Sequence, residues 1–262
     1  MDELCGTLGI ASVDWVKMNI EGAEIGVLKA AQGNKTQAAK LLGATMMDRP
    51  EDVEALRDGQ WIGQGSVLIV CTKNSRPTPA HPGSPRRGEL QTNSTGQILR
   101  FDEDGGDCGS LTFRWDVFVL AGDPLEADPA HPAATQSFSG DRFACPDNIL
   151  IDSQLNAWIT TDGNNDVFDD CNDCIVATSA TGAGPRAVKR FLVGPIGAEM
   201  CGPIMTPDGR AFLTAVQHPG SANNFDRTRW EGASVPSHFP DGGWPRSAVV
   251  IVTRDDGGKI GT

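Results

Sequence analysis

Carboxylates that flank predicted β-strands are the side chains in this sequence best suited to chemistry. Glu51, Asp52, Asp147 and Glu199 stand beside turn residues at the starts of such strands. They offer only oxygen ligands, which suit Ca2+, with its about six to eight oxygen ligands, far better than Zn2+, which favours nitrogen and sulfur. Acidic residues beside turns also cap and solvate the chain without binding a metal, and the residues alone favour that simpler interpretation.

Arg49 and His218 are the other candidates for binding or catalysis. Guanidinium groups bind phosphate oxygens in a bidentate manner, so Arg49, two residues before Glu51, is a candidate for binding an anion such as phosphate. A surface ion pair is the alternative role for this arginine. His218 follows a predicted strand, and both a functional role and a hydrogen-bonded structural role are open for it.

Residues 162–174 form a segment that is dense in Asp and Asn. Its composition resembles that of a calcium loop, but the order of an EF-hand, with its central Gly and terminal Glu, is missing. A solvated acidic loop is therefore the favoured interpretation. Cys171 and Cys174 form one CxxC pair at the end of the segment, whereas a structural zinc site needs a second pair. A local disulfide or free thiols are the alternatives.

Short β-strands are the elements that must position these side chains. Hydrophobic runs separated by turn residues span 65–72, 96–101, 111–121, 148–161, 186–193, 211–217 and 248–253. This pattern is typical of an all-β sandwich or propeller. Proline and acidic residues recur before strands at Pro50, Pro146 and Pro207, a weak repeat that favours propeller blades with their starts at one end of a channel. Residues 76–93, rich in Pro, Ser, Gly and Arg, predict a long surface loop.

Composition and missing motifs exclude several classes of function. The chain of 262 residues has a net charge of −12, which repels phosphate backbones, so nucleic acid is not an expected partner. No apolar run is long enough to span a membrane, and the first twenty residues lack the pattern of a signal peptide. The nucleophile elbow of serine hydrolases, the P-loop, the zincin motif and the Rossmann fingerprint are also absent.

From about residue 38 to the end, the chain resembles the C-terminal part of the PhoX-type alkaline phosphatases, a family of secreted bacterial phosphomonoesterases. The matching motifs occur in family order and include Met47-Asp48-Arg49-Pro50-Glu51-Asp52, Cys145-Pro146-Asp147-Asn148, Gly194-Pro195-Ile196-Gly197-Ala198-Glu199 and Gln217-His218-Pro219-Gly220. The resemblance implies a propeller of about six blades with a calcium–iron cluster at one end of its channel. It also implies hydrolysis of phosphate monoesters. Members of the family are exported to the periplasm or the extracellular space, but the sequence shows no signal peptide and predicts no location for this chain.

Site residues follow from the same resemblance, motif by motif. Arg49 would contact the phosphate, while Glu51, Asp147 and Glu199 would bind metal. The implied cofactors are Ca2+ and Fe3+. The family's N-terminal half, which supplies further iron ligands and several blades, has no counterpart in this sequence. The expected fold is therefore an all-β, partial β-propeller of three to four blades over residues 38–262, and its open edges are expected to favour self-association.

Residues 1–31 show a second resemblance, to a fragment of the FkbM-type methyltransferases. This predicts a short α/β appendage over residues 1–37. Two principal functions remain open for the chain: a calcium-dependent phosphatase, and a non-catalytic propeller remnant that retains calcium or phosphate binding. A calcium-dependent lactonase of the propeller type is a weaker third option, and the Arg49-Pro50-Glu51-Asp52 motif argues against it.

Overall fold

Short β-strands make up nearly all of the regular structure in this chain, for which we use a computed structural model. It describes residues 47–55, 66–78, 91–107, 110–126, 138–182, 185–221 and 235–261. The predicted all-β class is confirmed, since the described residues hold one α-helix of four residues, α1 (Asn164–Val167). No helix in these ranges is long and apolar enough to cross a membrane. The predicted appendage over residues 1–37 lies outside the described residues.

Three sheets of three to five strands lie in one compact unit, which comprises residues 48–77 and 92–262. The first sheet has the spatial order β1 (Pro50–Ala55), β2 (Ser66–Cys71), β5 (Gln97–Glu103) and β6 (Phe113–Leu120). The second has the order β7 (Phe138–Gly140), β11 (Arg186–Val193), β10 (Cys174–Ser179), β9 (Asn156–Thr161) and β8 (Pro146–Ile151). The third has the order β12 (Glu199–Met205), β13 (Ala211–Gln217) and β14 (Ala248–Thr253). All pairs in these sheets are antiparallel except β7 with β11.

Consecutive sheets pack face to face because the second sheet is hydrophobic on both sides. One face, which includes Ile159 and Val176, joins a core with Leu68 and Ile98 of the first sheet. The opposite face, which includes Trp158, joins a second core with residues of the third sheet. Residues that alternate along a strand point to opposite faces, so a strand buried on both sides must be apolar throughout.

This stacking is the arrangement of propeller blades. Each of the three sheets has one edge formed by β1, β8 or β12, and both β1 and β12 contact β8. The three edge strands therefore meet along one side of the stack. The described chain holds three such blades and does not close a ring, as the predicted partial propeller requires.

Several predicted boundaries differ from the structure. The predicted single run at residues 148–161 is the β8–β9 hairpin, because Asp152 Oδ1 accepts hydrogen bonds from the backbone N–H groups of Gln154 and Asn156 and so builds a turn. Strands β10 and β12 lie outside the predicted runs. Strand β12 contains Gly202 and Pro203 at an irregularity in its pairing with β13, which hides the strand pattern.

Two other sequence features have a different role from the one predicted. The expected surface loop over residues 76–93 begins and ends in a two-stranded sheet, formed by β3 (Asn74–Thr78) and β4 (Gln91–Asn93). Pro207 does not precede a new sheet. It lies in the turn between β12 and β13, where Asp208 Oδ1 accepts hydrogen bonds from Thr206 Oγ1 and from the N–H of Arg210. The repeat therefore marks a sheet edge at Pro50 and Pro146 only.

Candidate metal centre at the strand starts

Three carboxylates converge where the edge strands of the second and third sheets begin. Asp147, Asp162 and Glu199 each offer one oxygen atom, and these atoms lie within 4.8 Å of one another. We call these residues the carboxylate triad. No other group of three or more His, Cys, Asp or Glu side chains within the described ranges has ligand atoms this close together.

The sheets explain why the triad forms. Asp147 is the second residue of β8 and Glu199 is the first residue of β12, and these two strands are in contact. Strand β9 is antiparallel to β8 with Thr161 opposite Pro146, so Asp162, the next residue, lies beside the start of β8. Sequence reasoning placed Asp147 and Glu199 at strand starts but missed Asp162, whose proximity depends on the unpredicted hairpin.

Arg49 and Glu51 lie next to the triad, at the start of the first sheet. Arg49 Nε is 2.5 Å from Glu51 Oε1, and Arg49 Nη2 is 3.6 Å from Asp162 Oδ2. Glu51 is not a member of the triad, but its charge acts on Asp147. The structure thus brings together the four residues that the family resemblance implies for the site: Arg49, Glu51, Asp147 and Glu199. Asp52 does not join them, because its Oδ2 atom accepts a hydrogen bond from the N–H of Ile149 and so links β1 to β8.

The backbone before β1 is fixed so that Arg49 can face the triad. Asp48 is buried, and its carboxylate accepts hydrogen bonds from the side-chain amides of Asn74, Asn93 and Gln97. Arg49 itself adopts φ +49°, an uncommon conformation for a residue with a side chain. Its side chain is 50% exposed, which leaves the guanidinium accessible to a ligand from solvent.

The triad is electrostatically strained without a cation. Burial and, to a smaller extent, the charges of Glu199, Asp162 and Glu51 together raise the pKa of Asp147 to about 7, against the opposing charge of Arg49. Burial and the charge of Asp162 also raise the pKa of Glu199, against the opposing effect of His218 and Gln217. A divalent cation between the oxygens would remove this repulsion, so the donor set fits a hard, oxygen-seeking ion.

Two side chains at the end of β13 hold Glu199. Gln217 Nε2 donates a hydrogen bond of 2.6 Å to Glu199 Oε2, and His218 Nε2 lies 3.2 Å from the same oxygen. His218 Nδ1 faces the carbonyl oxygen of Gly197 at 3.4 Å. The histidine thus contacts a triad residue, and this geometry suits an orienting group around a metal ligand.

The acidic segment 162–174 is only partly solvated, so the interpretation as a solvated loop is incomplete. Asp169 and Asp170 are exposed, whereas Asn164 and Asp173 are buried. Its two cysteines are buried free thiols. Within the described residues they join no group of side chains that could hold a metal ion, since the one such group is the carboxylate triad.

Comparison with known proteins relates this chain to phosphatases. The family model for alkaline phosphatase PhoX matches residues 5–220. Among solved structures, the chain is similar to Pseudomonas fluorescens PhoX in complex with vanadate, a transition state analogue, with 33% sequence identity and a TM-score of 0.67. The alignment covers 86% of this chain and 37% of that chain, so this chain spans well under half of the PhoX structure. No curated protein matches the sequence.

The family match also bears on the N-terminal segment. It begins at residue 5 and therefore includes most of residues 1–31, which resemble FkbM-type methyltransferases in the sequence. None of the comparisons supports that second resemblance.

Proposed function

Because the chain belongs to the PhoX family of alkaline phosphatases, we propose that it binds and hydrolyses phosphate monoesters at the carboxylate triad and Arg49. The observation that carries this proposal is the meeting of acidic residues from the edge strands of separate sheets beside an accessible arginine. A surface ion pair alone would not require three buried or half-buried acids to converge against their mutual repulsion.

Ca2+ is the proposed metal. Asp147, Asp162 and Glu199 would hold it, with Glu51 close enough to add to the negative field. All of these ligands are oxygens, which is the chemistry that Ca2+ prefers. The family resemblance also implies Fe3+, but the described residues offer no second donor set for it. We therefore propose Ca2+ binding for this chain and leave iron as an expectation of the family.

Arg49 would bind the phosphate group. The contact between its Nε atom and Glu51 orients the guanidinium, and its Nη2 atom points toward the triad at Asp162. A cation bound at the triad would polarise the phosphate oxygens. Arg49 would then neutralise the negative charge that develops on those oxygens during P–O cleavage, and such fixed charges accelerate phosphoryl transfer.

The second candidate function is binding without turnover. The chain spans 37% of the PhoX structure, and in this second function the groups that complete catalysis would lie in the part of that structure that it does not match. In that case the triad and Arg49 would still bind Ca2+ and phosphate. The two functions differ in whether phosphate is released, which an activity assay measures directly.

The experiment is hydrolysis of p-nitrophenyl phosphate by purified protein, with calcium and iron added singly, together or removed by chelators. Arg49→Ala and Glu51→Gln should each abolish a calcium-dependent activity. Arg254→Ala is the matched control, because Arg254 is also half-exposed and paired with a nearby carboxylate, that of Asp256. Folded protein that binds calcium but releases no phosphate would support the second function.

We also propose that the chain self-associates through the edge of the third sheet. Strand β14 pairs with β13 on one side and with no other strand in the described residues. Its side chains Val249 and Ile251 are 67% and 63% exposed. Hydrophobic edge strands of this kind pair readily with a second copy. Light scattering should show concentration-dependent dimers that Ile251→Lys disrupts, and a monomer at all concentrations would contradict the proposal.

A further inference from the structure

We infer that Asp173, which is not a member of the carboxylate triad, is the positioning residue that holds Asp162 in place for cation binding. The inference rests on the proposed metal site. It concerns a buried carboxylate whose hydrogen bonds reach the residues on both sides of Asp162.

Asp173 is 3% exposed, and a single oxygen atom of its side chain organises the chain around Asp162. Its Oδ1 atom accepts a 2.6 Å hydrogen bond from Thr161 Oγ1 and bonds of 2.9 and 2.8 Å from the N–H groups of Gly163 and Asn164. These three donors come from the residue before Asp162 and the two residues after it. Burying a carboxylate costs free energy unless its oxygens accept such hydrogen bonds. The arrangement therefore holds both the Asp173 side chain and the turn that donates to it.

The remaining contacts restrict Asp162 further. Its own N–H donates a 2.9 Å hydrogen bond to the carbonyl oxygen of Cys145, the second residue before Asp147. Gly163 adopts φ +118°, which favours glycine, and a Cβ atom there would lie 2.8 Å from Lys73 Nζ. The turn that presents Asp162 to the triad is therefore restricted at Gly163, and Asp173 supplies hydrogen bonds that hold it.

The main chain of Asp173 extends this organisation to the third sheet. Its carbonyl oxygen accepts a 2.8 Å hydrogen bond from the N–H of Gly194, and the side-chain amide of Asn172 donates a 3.1 Å bond to the carbonyl oxygen of Gly194. Gly194 begins the short connection that leads to Glu199. Residues 172–173 thus hold the start of the connection that leads to Glu199, while the Asp173 side chain holds the turn around Asp162.

Calcium affinity measured by isothermal titration calorimetry tests the inference. Asp173→Asn keeps the shape of the side chain but removes the charge that holds three donors. We expect it to weaken calcium binding by about 10- to 100-fold, the usual effect of changing a group that orients metal ligands. Asp169→Asn is the matched control, because Asp169 lies in the same segment and carries the same charge but is exposed. It should keep the wild-type affinity within about twofold.

Phe212→Leu separates positioning from general loss of stability. Phe212 is fully buried and pairs with Met205, six residues along β12 from Glu199, so the change destabilises the fold at about 20 Å from the triad. This variant should bind calcium as the wild type does, even if its melting temperature falls by as much as that of Asp173→Asn. Wild-type affinity in Asp173→Asn, or an equal loss in Phe212→Leu, would overturn the inference.

Asp162→Asn distinguishes failure of this inference from failure of the metal site. If the wild type does not bind calcium, or if Asp162→Asn binds it equally well, the triad is not the site and both proposals fall. If Asp162→Asn loses binding but Asp173→Asn retains it, only the positioning role of Asp173 is refuted. Thr161→Val, which removes one donor and no charge, should give an intermediate loss of affinity and offers a variant with less risk of unfolding.

Discussion

Replacing Asp147 with asparagine should stabilise the cation-free protein at alkaline pH and remove its stabilisation by calcium. Burial and three neighbouring acids raise the pKa of Asp147 to about 7. The folded state therefore holds the Asp147 proton more tightly than the unfolded state does. As pH rises from about 4 to about 7, the unfolded chain gives up this proton first, and the folded state loses stability relative to it. Asparagine carries no proton to lose and avoids this penalty.

The structure sets the size of the effect. The pKa of Asp147 rises from 3.8 to about 7. At about 1.4 kcal/mol for each pKa unit, the ionised carboxylate destabilises the fold by at most about 4 kcal/mol. Screening by solvent at the site's open side reduces this to about 2 kcal/mol. For a domain of this size, that difference corresponds to a rise in melting temperature of about 4–8 °C.

Thermal unfolding followed by circular dichroism measures this difference. Wild type and Asp147→Asn are compared at pH 8 and pH 4 in a chelator, and again at pH 8 with excess calcium. We expect the variant to melt higher than the wild type at pH 8 without calcium, to match it at pH 4, and to gain nothing from calcium. Two results would refute the electrostatic reasoning. One is a variant that melts lower than the wild type at pH 8 in chelator, and the other is a difference in melting temperature that is the same at pH 8 and pH 4.

Three further substitutions test the carboxylate triad and the sheets that position it separately. His218→Ala removes a side chain that contacts Glu199 and should weaken calcium binding by about tenfold in calorimetry. Asp152→Ala removes the acceptor of four hydrogen bonds in the β8–β9 turn, one of them from Trp158 Nε1, and should lower the unfolding free energy by about 2–3 kcal/mol in urea without changing calcium affinity. Phe212→Ala should cost about 3–5 kcal/mol in the same urea assay, because its ring is fully buried between the second and third sheets.

The site could be predicted from the sequence to the extent that position in a strand determines position in space. Glu51 and Asp147 follow prolines that begin edge strands, and this local signal is enough to predict that the two carboxylates lie at the same end of the stack. Asp162 carries no such signal. It reaches the triad because β9 turns back along β8, and the sequence prediction treated residues 148–161 as one run although polar residues at 152–154 mark the turn.

Residues of the acidic segment 162–174 differ in burial, and the composition of the segment does not reveal which of them are buried. Asp170 and Asp173 are chemically identical and three positions apart, yet Asp170 pairs with Arg142 at the surface while Asp173 accepts bonds from a buried turn. The difference depends on where β10 begins, and β10 lies outside the predicted strands. The all-β class was accessible from the sequence because it depends on many short runs and turns, whereas the role of one acid depends on a single strand boundary.

The same carboxylates that destabilise the cation-free fold would stabilise the loaded one. Asp147 lies in the second sheet, Asp162 directly follows β9 of that sheet, and Glu199 lies in the third. A cation held by all three would tie two blades together at their edges. A ligand that binds only the folded state adds about 2.7 kcal/mol at a hundredfold excess over its dissociation constant. That gain is of the same size as the penalty at Asp147, so calcium at this excess would offset the penalty. Cation binding is therefore expected to restore the stability that the charge of Asp147 removes from the cation-free fold.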